Sequence, residues 1–188
     1  NIYGLKEGMK EFYQSVRVFL PEDWAVLRRY PRPIGWCTIS EFWNNQWWGS
    51  APNGFRVTLG IGKRTGQESD LVFILDAQDP GMKQLWEATS EAPVPIGQWF
   101  TMEYYYRAGD SKSGRFYLAI TPDGKPRQVV LDVTGWTHNT QDPAPDGVTH
   151  YNPMKLYTSK ELVAYVRSQG KTLQIYWDDF RLWRNKRP

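Results

Sequence analysis

"WFTMEYYYRAGDSKSGRFYLAI", Trp99 to Ile120, places Phe100, Met102, Tyr104 and Tyr106 on one side of a two-residue alternation. Trp99, Thr101, Glu103, Tyr105 and Arg107 fall on the other. After AGDSKSG the alternation resumes, with Phe116, Leu118 and Ile120 opposite Arg115, Tyr117 and Ala119. Successive side chains of a strand point to opposite faces, so this period marks two half-buried strands. The glycine-bearing loop between them makes the pair an antiparallel hairpin.

The same period recurs outward from the hairpin in both directions. QSVRVFL sets Val16, Val18 and Leu20 against Ser15, Arg17 and Phe19, and stops at Pro21. FRVTLGIG sets Phe55, Val57, Leu59 and Ile61 against Arg56, Thr58, Gly60 and Gly62. DLVFILDA is almost continuously apolar, as a strand covered on both faces would be. RQVVLDV follows the turn TPDGK, and KTLQIYWDDFRLW puts Leu173, Ile175 and Trp177 on one side. One helix is predicted near 159–168 in TSKELVAYVRSQG, with Thr158 and Glu161 spaced as a capping box and Gly170 as the stop. Many strands and little helix predict an all-β chain folded as a two-sheet antiparallel β-sandwich, or jelly roll. Its 188 residues suffice for one domain spanning 1–188.

Composition narrows the function classes. The formal net charge is +3 and basic residues are scattered, so nucleic acid is not an expected partner. The lone Cys37 excludes an internal disulfide and a cysteine-based zinc site, and reads as a small core residue. No run approaches the ~18 apolar residues of a membrane span, and no signal peptide opens the chain, so it is expected to be soluble as a mature protein or a piece of a longer one. The unusual quantity is 15% aromatic residues, including 10 Trp and 11 Tyr.

Three of those tryptophans lie in SEFWNNQWWGS, Ser40 to Ser50. In the strand before it, WCTISEFW, neither alternate face is cleanly polar, so its register is ambiguous. Phe42 and Trp36 are read as core, Glu41 and Trp43 as facing outward, and Trp47 and Trp48 as a loop at the edge. Two loop-like segments, Trp43 to Gly54 and Trp136 to Met154, are long enough to be functional. The second holds both histidines, His138 and His150, without metal-ligand spacing.

Outward positions of the strands include Arg56, Thr58, Glu103, Tyr105, Arg107, Tyr117, Gln174 and Tyr176. Rings interspersed with carboxylate, amide and guanidinium groups suit a polyhydroxylated ligand, whose apolar C–H faces stack while its hydroxyls find polar partners. The same residues also serve as cross-strand pairs on a solvated sheet.

FYQSVRVFLPEDW, TISEFWNN, FRVTLGIG, PVPIGQWFTMEYYYRAGDSKSGRFYLAITPDGK and IYWDDFRLW, in this order, resemble the concanavalin A-like lectin/glucanase jelly rolls. Within them the chain is most similar to the polysaccharide lyase and carbohydrate-binding-module branch. The resemblance covers nearly the whole chain and implies a poly- or oligosaccharide held across a concave sheet. Implied ligand contacts are Glu41, Trp43, Trp47, Trp48, Arg56, Glu103, Tyr105, Arg107, Tyr117 and Tyr176.

A non-catalytic carbohydrate-binding domain is the first expectation. The alternative is a polysaccharide lyase or glycoside hydrolase using Glu41, Glu103 and groove tyrosines such as Tyr105, with Arg56, Arg107 and His138 as further parts. A protein-interaction surface would draw on the same residue types. Lyases of this type commonly carry glutamine and histidine on the strand matching SEFWN, where this chain has Glu41 and Trp43. Related sandwiches often hold a structural calcium at the terminal strand, which would fall on Asp178 and Asp179; the alternative there is pairing with Arg181 or Arg184. A polysaccharide ligand implies an extracellular or periplasmic location.

Overall fold

The computed structural model describes Leu5 and residues 7–44, 49–184 and 186–188. Its strands are β1 (Glu11–Phe19), β2 (Cys37–Trp43), β3 (Arg56–Gly62), β4 (Val72–Asp79), β5 (Lys83–Pro93), β6 (Trp99–Arg107), β7 (Arg115–Pro122), β8 (Gln128–Thr134), β9 (His150–Asn152), β10 (Tyr157–Thr158) and β11 (Tyr176–Trp183). They form two antiparallel sheets. The five-stranded sheet runs β11-β1-β6-β7-β8, and the six-stranded one β10-β2-β3-β4-β5 with β9 also paired to β2. The all-β sandwich expected from the alternation is the observed architecture.

The β6–β7 hairpin spans the predicted residues, pairing Phe100 with Pro122 through to Arg107 with Arg115. Its loop is tied by Asp110, whose carboxylate accepts from the backbone N–H groups of Lys112 and Ser113 at 2.9 Å each. Phe100, Met102, Tyr104 and Tyr106 fill the space between the sheets with Val57, Leu59, Phe73 and Leu75. Phe42 reaches across from the six-stranded sheet to Phe12 at 5.3 Å and Tyr104 at 5.9 Å between ring centroids. Truncating such a ring to alanine typically costs about 3–5 kcal/mol.

The ambiguous register of β2 has a local cause. Thr38 opposes Gly60 while Ser40 opposes Leu59, so Ile39 is an extra residue, a β-bulge. The bulge reverses the alternation midway. Ser40 and Phe42 face the core after it, whereas Trp36 and Thr38 face outward before it. The reading of Trp36 as core is therefore corrected: its indole is 46% exposed. Here β2 passes so close to β3 that a Cβ on Gly60 would lie 2.9 Å from the Cys37 carbonyl oxygen, so a side chain there would displace backbone.

The helix α1 covers Lys160–Ser168, and its cap differs from the expected one by a single residue. Ser159, not Thr158, accepts from the Leu162 N–H at 3.1 Å. Gly170 follows the helix at φ +70°, the left-handed conformation a C-terminal stop requires. Leu162 and Val166 are buried. A 3-10 helix over Glu22–Arg29 was not foreseen; it buries Trp24, whose indole N–H donates to the Gln174 carbonyl at 2.7 Å. The second long loop contains β9, which alternation read over three residues could not reveal.

Candidate functional site

The outer face of the six-stranded sheet carries the side chains of β2, β3, β4, β9 and β10 that point away from the core. Glu41 stands at its centre. It accepts a hydrogen bond from Lys155 and pairs with Arg56, whose Nη1 is 3.6 Å from the carboxylate. Arg56 Nε donates to Gln78 at 3.0 Å, Gln78 donates to Asp76 at 2.5 Å, and Thr58 donates to the other oxygen of Asp76. Two cations and two carboxylates are thus locked in one polar strip. Burial pushes Asp76 above the usual carboxylate range, against the hydrogen bonds from Thr58 and Gln78. Burial lowers Arg56 from its ordinary value, against the pull of Glu41 and Asp76.

Aromatic rings bound the strip at both ends. On one side Trp43 stacks on His150 across the β2–β9 pair. His150 Nδ1 lies 3.0 Å from the Thr149 hydroxyl, and burial lowers its pKa, which favours the neutral ring. Asn152 faces Glu41 from the same strand, and its buried Oδ1 has no hydrogen-bond partner among the described residues. On the other side Trp36 meets Tyr157 edge-on at 4.9 Å, and Lys155 Nζ sits 4.8 Å from the Tyr157 ring centroid. A cleft of about 410 Å³ opens there, lined by Trp36, Thr38, Arg56, Asp76, Gln78 and Tyr157.

The expected site residues divide between the two outer faces. Glu41, Trp43 and Arg56 come together on the six-stranded sheet. Glu103, Tyr105, Arg107 and Tyr117 lie on the five-stranded one, where β6 and β7 belong. Glu41 and Glu103 both point away from the core, so more than the ~10 Å between packed sheets separates them, beyond the ~9.5 Å limit for paired glycosidase carboxyls. The acid–base pairing of Glu41 with Glu103 is thereby corrected.

On that second face the rings are already covered. Tyr105 and Tyr117 are only 1% and 4% exposed, lying beneath Arg115, which is 5.8 and 5.5 Å from their ring centroids. Arg115 is itself held by both oxygens of Asp132 at 2.8 Å. Tyr105 donates to Glu11 at 2.5 Å, and burial raises its pKa. Glu103 accepts from Tyr13 and, at 2.5 Å, from Arg127. Arg107 donates to the Ser113 carbonyl at 2.8 Å. A ring roofed by a guanidinium offers no face to a ligand, so these tyrosines are structural pairs. Tyr176 is exposed on β11 of the same sheet and donates to Gln174 at 3.1 Å.

Trp47 and Trp48 lie outside the described residues. His138 is in the 135–154 loop, its Nδ1 2.8 Å from the Asn139 carbonyl oxygen. Asp178 and Asp179 are exposed on β11, with the Asp179 N–H donating to Asp178 at 2.8 Å and Arg181 4.0 Å from Asp179. Among the described residues, no group of three or more histidines, cysteines or carboxylates is placed to hold a metal. Sequence reasoning missed His150, Asn152, Lys155 and Tyr157 as members of the site. No period could mark them, because β9 and β10 hold only three and two residues.

No family model and no curated protein matches the chain. Solved structures do. The PL-14 alginate lyase from Aplysia kurodai aligns with a TM-score of 0.61 at 10% identity, covering 95% of this chain and 71% of that one. The endo-beta-1,4-glucuronan lyase from the fungus Trichoderma reesei aligns at 0.55 and 15%, covering 97% and 71%. Alginate lyase Aly36B aligns at 0.54 and 15%, covering 95% and 71%. The chain shares its two-sheet antiparallel sandwich fold with these polysaccharide lyases.

Proposed function

We propose that the chain binds a polysaccharide along the outer face of the six-stranded sheet. The observation that carries this reading is the polar strip Glu41–Arg56–Gln78–Asp76 lying between two aromatic pairs, Trp43/His150 and Trp36/Tyr157, beside an open cleft. A pyranose presents apolar faces to rings and hydroxyls to amides, carboxylates and cations, and the strip provides both. The polysaccharide lyases that share the fold support this ligand class. Such a ligand places the protein's work outside the cytoplasm, in the extracellular space or periplasm. Affinity electrophoresis on a panel of neutral and acidic glycans tests it. Retardation on at least one glycan that is lost in Arg56→Ala is expected; unchanged mobility on every glycan would end the reading.

Catalysis is a second reading, favoured by His150. A neutral imidazole can take a proton at neutral pH, and Arg56 and Asn152 lie on the same face to offset a uronate carboxylate. In that reaction the C5–H bond breaks toward His150, a C4–C5 double bond forms and the glycosidic oxygen leaves from C4. Ultraviolet absorbance of unsaturated uronic ends on a panel of polyuronates measures it. Product formed by the native chain and absent with His150→Ala would establish a lyase. No product from any polyuronate, with binding retained, would leave a binding module.

A further inference from the structure

Trp36 belongs to two clefts at once. The cleft over the sheet shares Gly35 and Trp36 with a second one of about 320 Å³, which is also lined by Tyr30, Arg32, Pro33 and Glu161. The second cleft lies off the sheet, between the 30–36 segment and the start of α1. Trp36 therefore forms the ridge between them. It is held in that place by β10: Tyr157 pairs with Thr38, which puts Tyr157 diagonally across from Trp36, and the Thr158 hydroxyl donates to the Trp36 carbonyl at 2.6 Å. The indole and the Tyr157 ring are 46% and 53% exposed, so each keeps a surface open beyond their mutual edge contact.

The polar groups of the second cleft are arranged differently from those over the sheet. Arg32 donates to the Tyr30 hydroxyl at 2.7 Å and lies 5.5 Å from that ring's centroid. Glu161 stands opposite on the first turn of α1. Arg32 covers the buried Tyr30 ring, so the open ring wall of this space is Trp36, and with Arg32 and Glu161 it repeats, on a smaller scale, the chemistry of the strip.

We infer that a bound polysaccharide continues past the sheet, crosses Trp36 and seats a further pyranose ring in this second cleft, stacked on the indole and contacted by Arg32 and Glu161. The inference rests on the polysaccharide reading above and names where the chain goes after it leaves the strip. The occupant is the next unit of the same chain, because the clefts share walls.

Calorimetric titration with oligoglucuronates and cello-oligosaccharides, each graded from disaccharide to octasaccharide, tests it. In one ladder the native protein should gain affinity with length and then level off. Arg32→Ala, which lines only the second cleft, should abolish most of the last gain, lowering affinity for the longest oligomers about five- to tenfold while leaving the shortest within about twofold. Trp36→Ala, which strips a wall from both clefts, should weaken every length and the longest most, and Trp36→Phe should keep most of the gain. Because Trp36 is half exposed and outside the core, its truncation leaves the fold intact, which a thermal melt verifies. A last gain that survives in Arg32→Ala, or a loss equal at every length in both Arg32→Ala and Trp36→Ala, overturns the inference but not the reading beneath it. If neither ladder nor any glycan of the electrophoretic panel binds the native protein, the polysaccharide reading itself fails.

Discussion

Trp43 and His150 stack across the β2–β9 pair with ring centroids 5.8 Å apart and planes 18° from parallel. The contact joins the last residue of a strand to the first residue of a short one separated from it by more than 100 positions of sequence. Burial of the imidazole, to which the indole on one face contributes, lowers its pKa.

His150 should titrate below the ordinary histidine value of 6.5, since burial opposes its charged form. The unfolded chain then binds the proton more readily than the folded one. The contribution to stability is present above pH 6.5 and is lost as pH falls through the folded-state pKa. An NMR titration of the imidazole checks this. A value at or above 6.5 would remove the argument for a neutral base at this position.

Glu41 should matter to stability as well as to the site. Its side chain is 8% exposed and is the shared partner of Arg56 and Lys155. Glu41→Gln leaves Lys155 without its carboxylate partner and removes one of the two carboxylates acting on Arg56, and should cost about 1–3 kcal/mol, less than for a wholly buried pair because Lys155 reaches solvent. Adding Lys155→Met to that variant should restore part of the loss. Urea denaturation of the single and double variants measures it, and an additive double variant would show that the two residues are not coupled.

A buried polar contact bridges the sheets. Tyr151 of β9 donates to Gln14 of β1, and both are completely buried, while Gln14 Nε2 has no partner among the described residues. Tyr151→Phe should destabilise by about 1–3 kcal/mol because it orphans the acceptor. Gln14→Leu combined with Tyr151→Phe should recover most of this, as neither polar group then remains. Thermal melts decide; equal losses in the single and double variants would contradict it.

Lys63 should be one of the least replaceable charged residues. It is 1% exposed, and its ammonium donates to the carbonyls of Arg28 at 3.1 Å, Gln67 at 2.8 Å and Tyr30. It thereby fastens the end of the 3-10 helix to the end of β3. Lys63→Met keeps the volume but strips three carbonyls of their donor, so a loss of about 2–4 kcal/mol is expected in chemical denaturation. A stability within about 0.5 kcal/mol of the native chain would mean that water replaces the ammonium there.

The strands legible in the sequence were those with a single buried face and no interruption. β3, β6 and β7 are legible to within two residues of their observed spans, and β1 falls three residues short at its start. β5 was missed because both its ends are exposed and its pattern, KQLWEATSEAP, buries only Ser90 fully. β9 and β10 are too short to show any period. The site was legible in part: Glu41, Trp43 and Arg56 were found from their outward positions, while Glu103, Tyr105 and Tyr117 were outward on the wrong sheet.

Period-two alternation by itself determined that this chain is an antiparallel sandwich, because burying one face of each strand is a local requirement that every strand must meet separately. Which strands share a sheet is set by pairings between residues far apart in sequence, and alternation carries no record of them. Only the tertiary structure therefore separated the covered tyrosines of one face from the open Trp36 and Tyr157 of the other. It also turned Trp36 outward, since a one-residue bulge in β2 reverses every side chain before it.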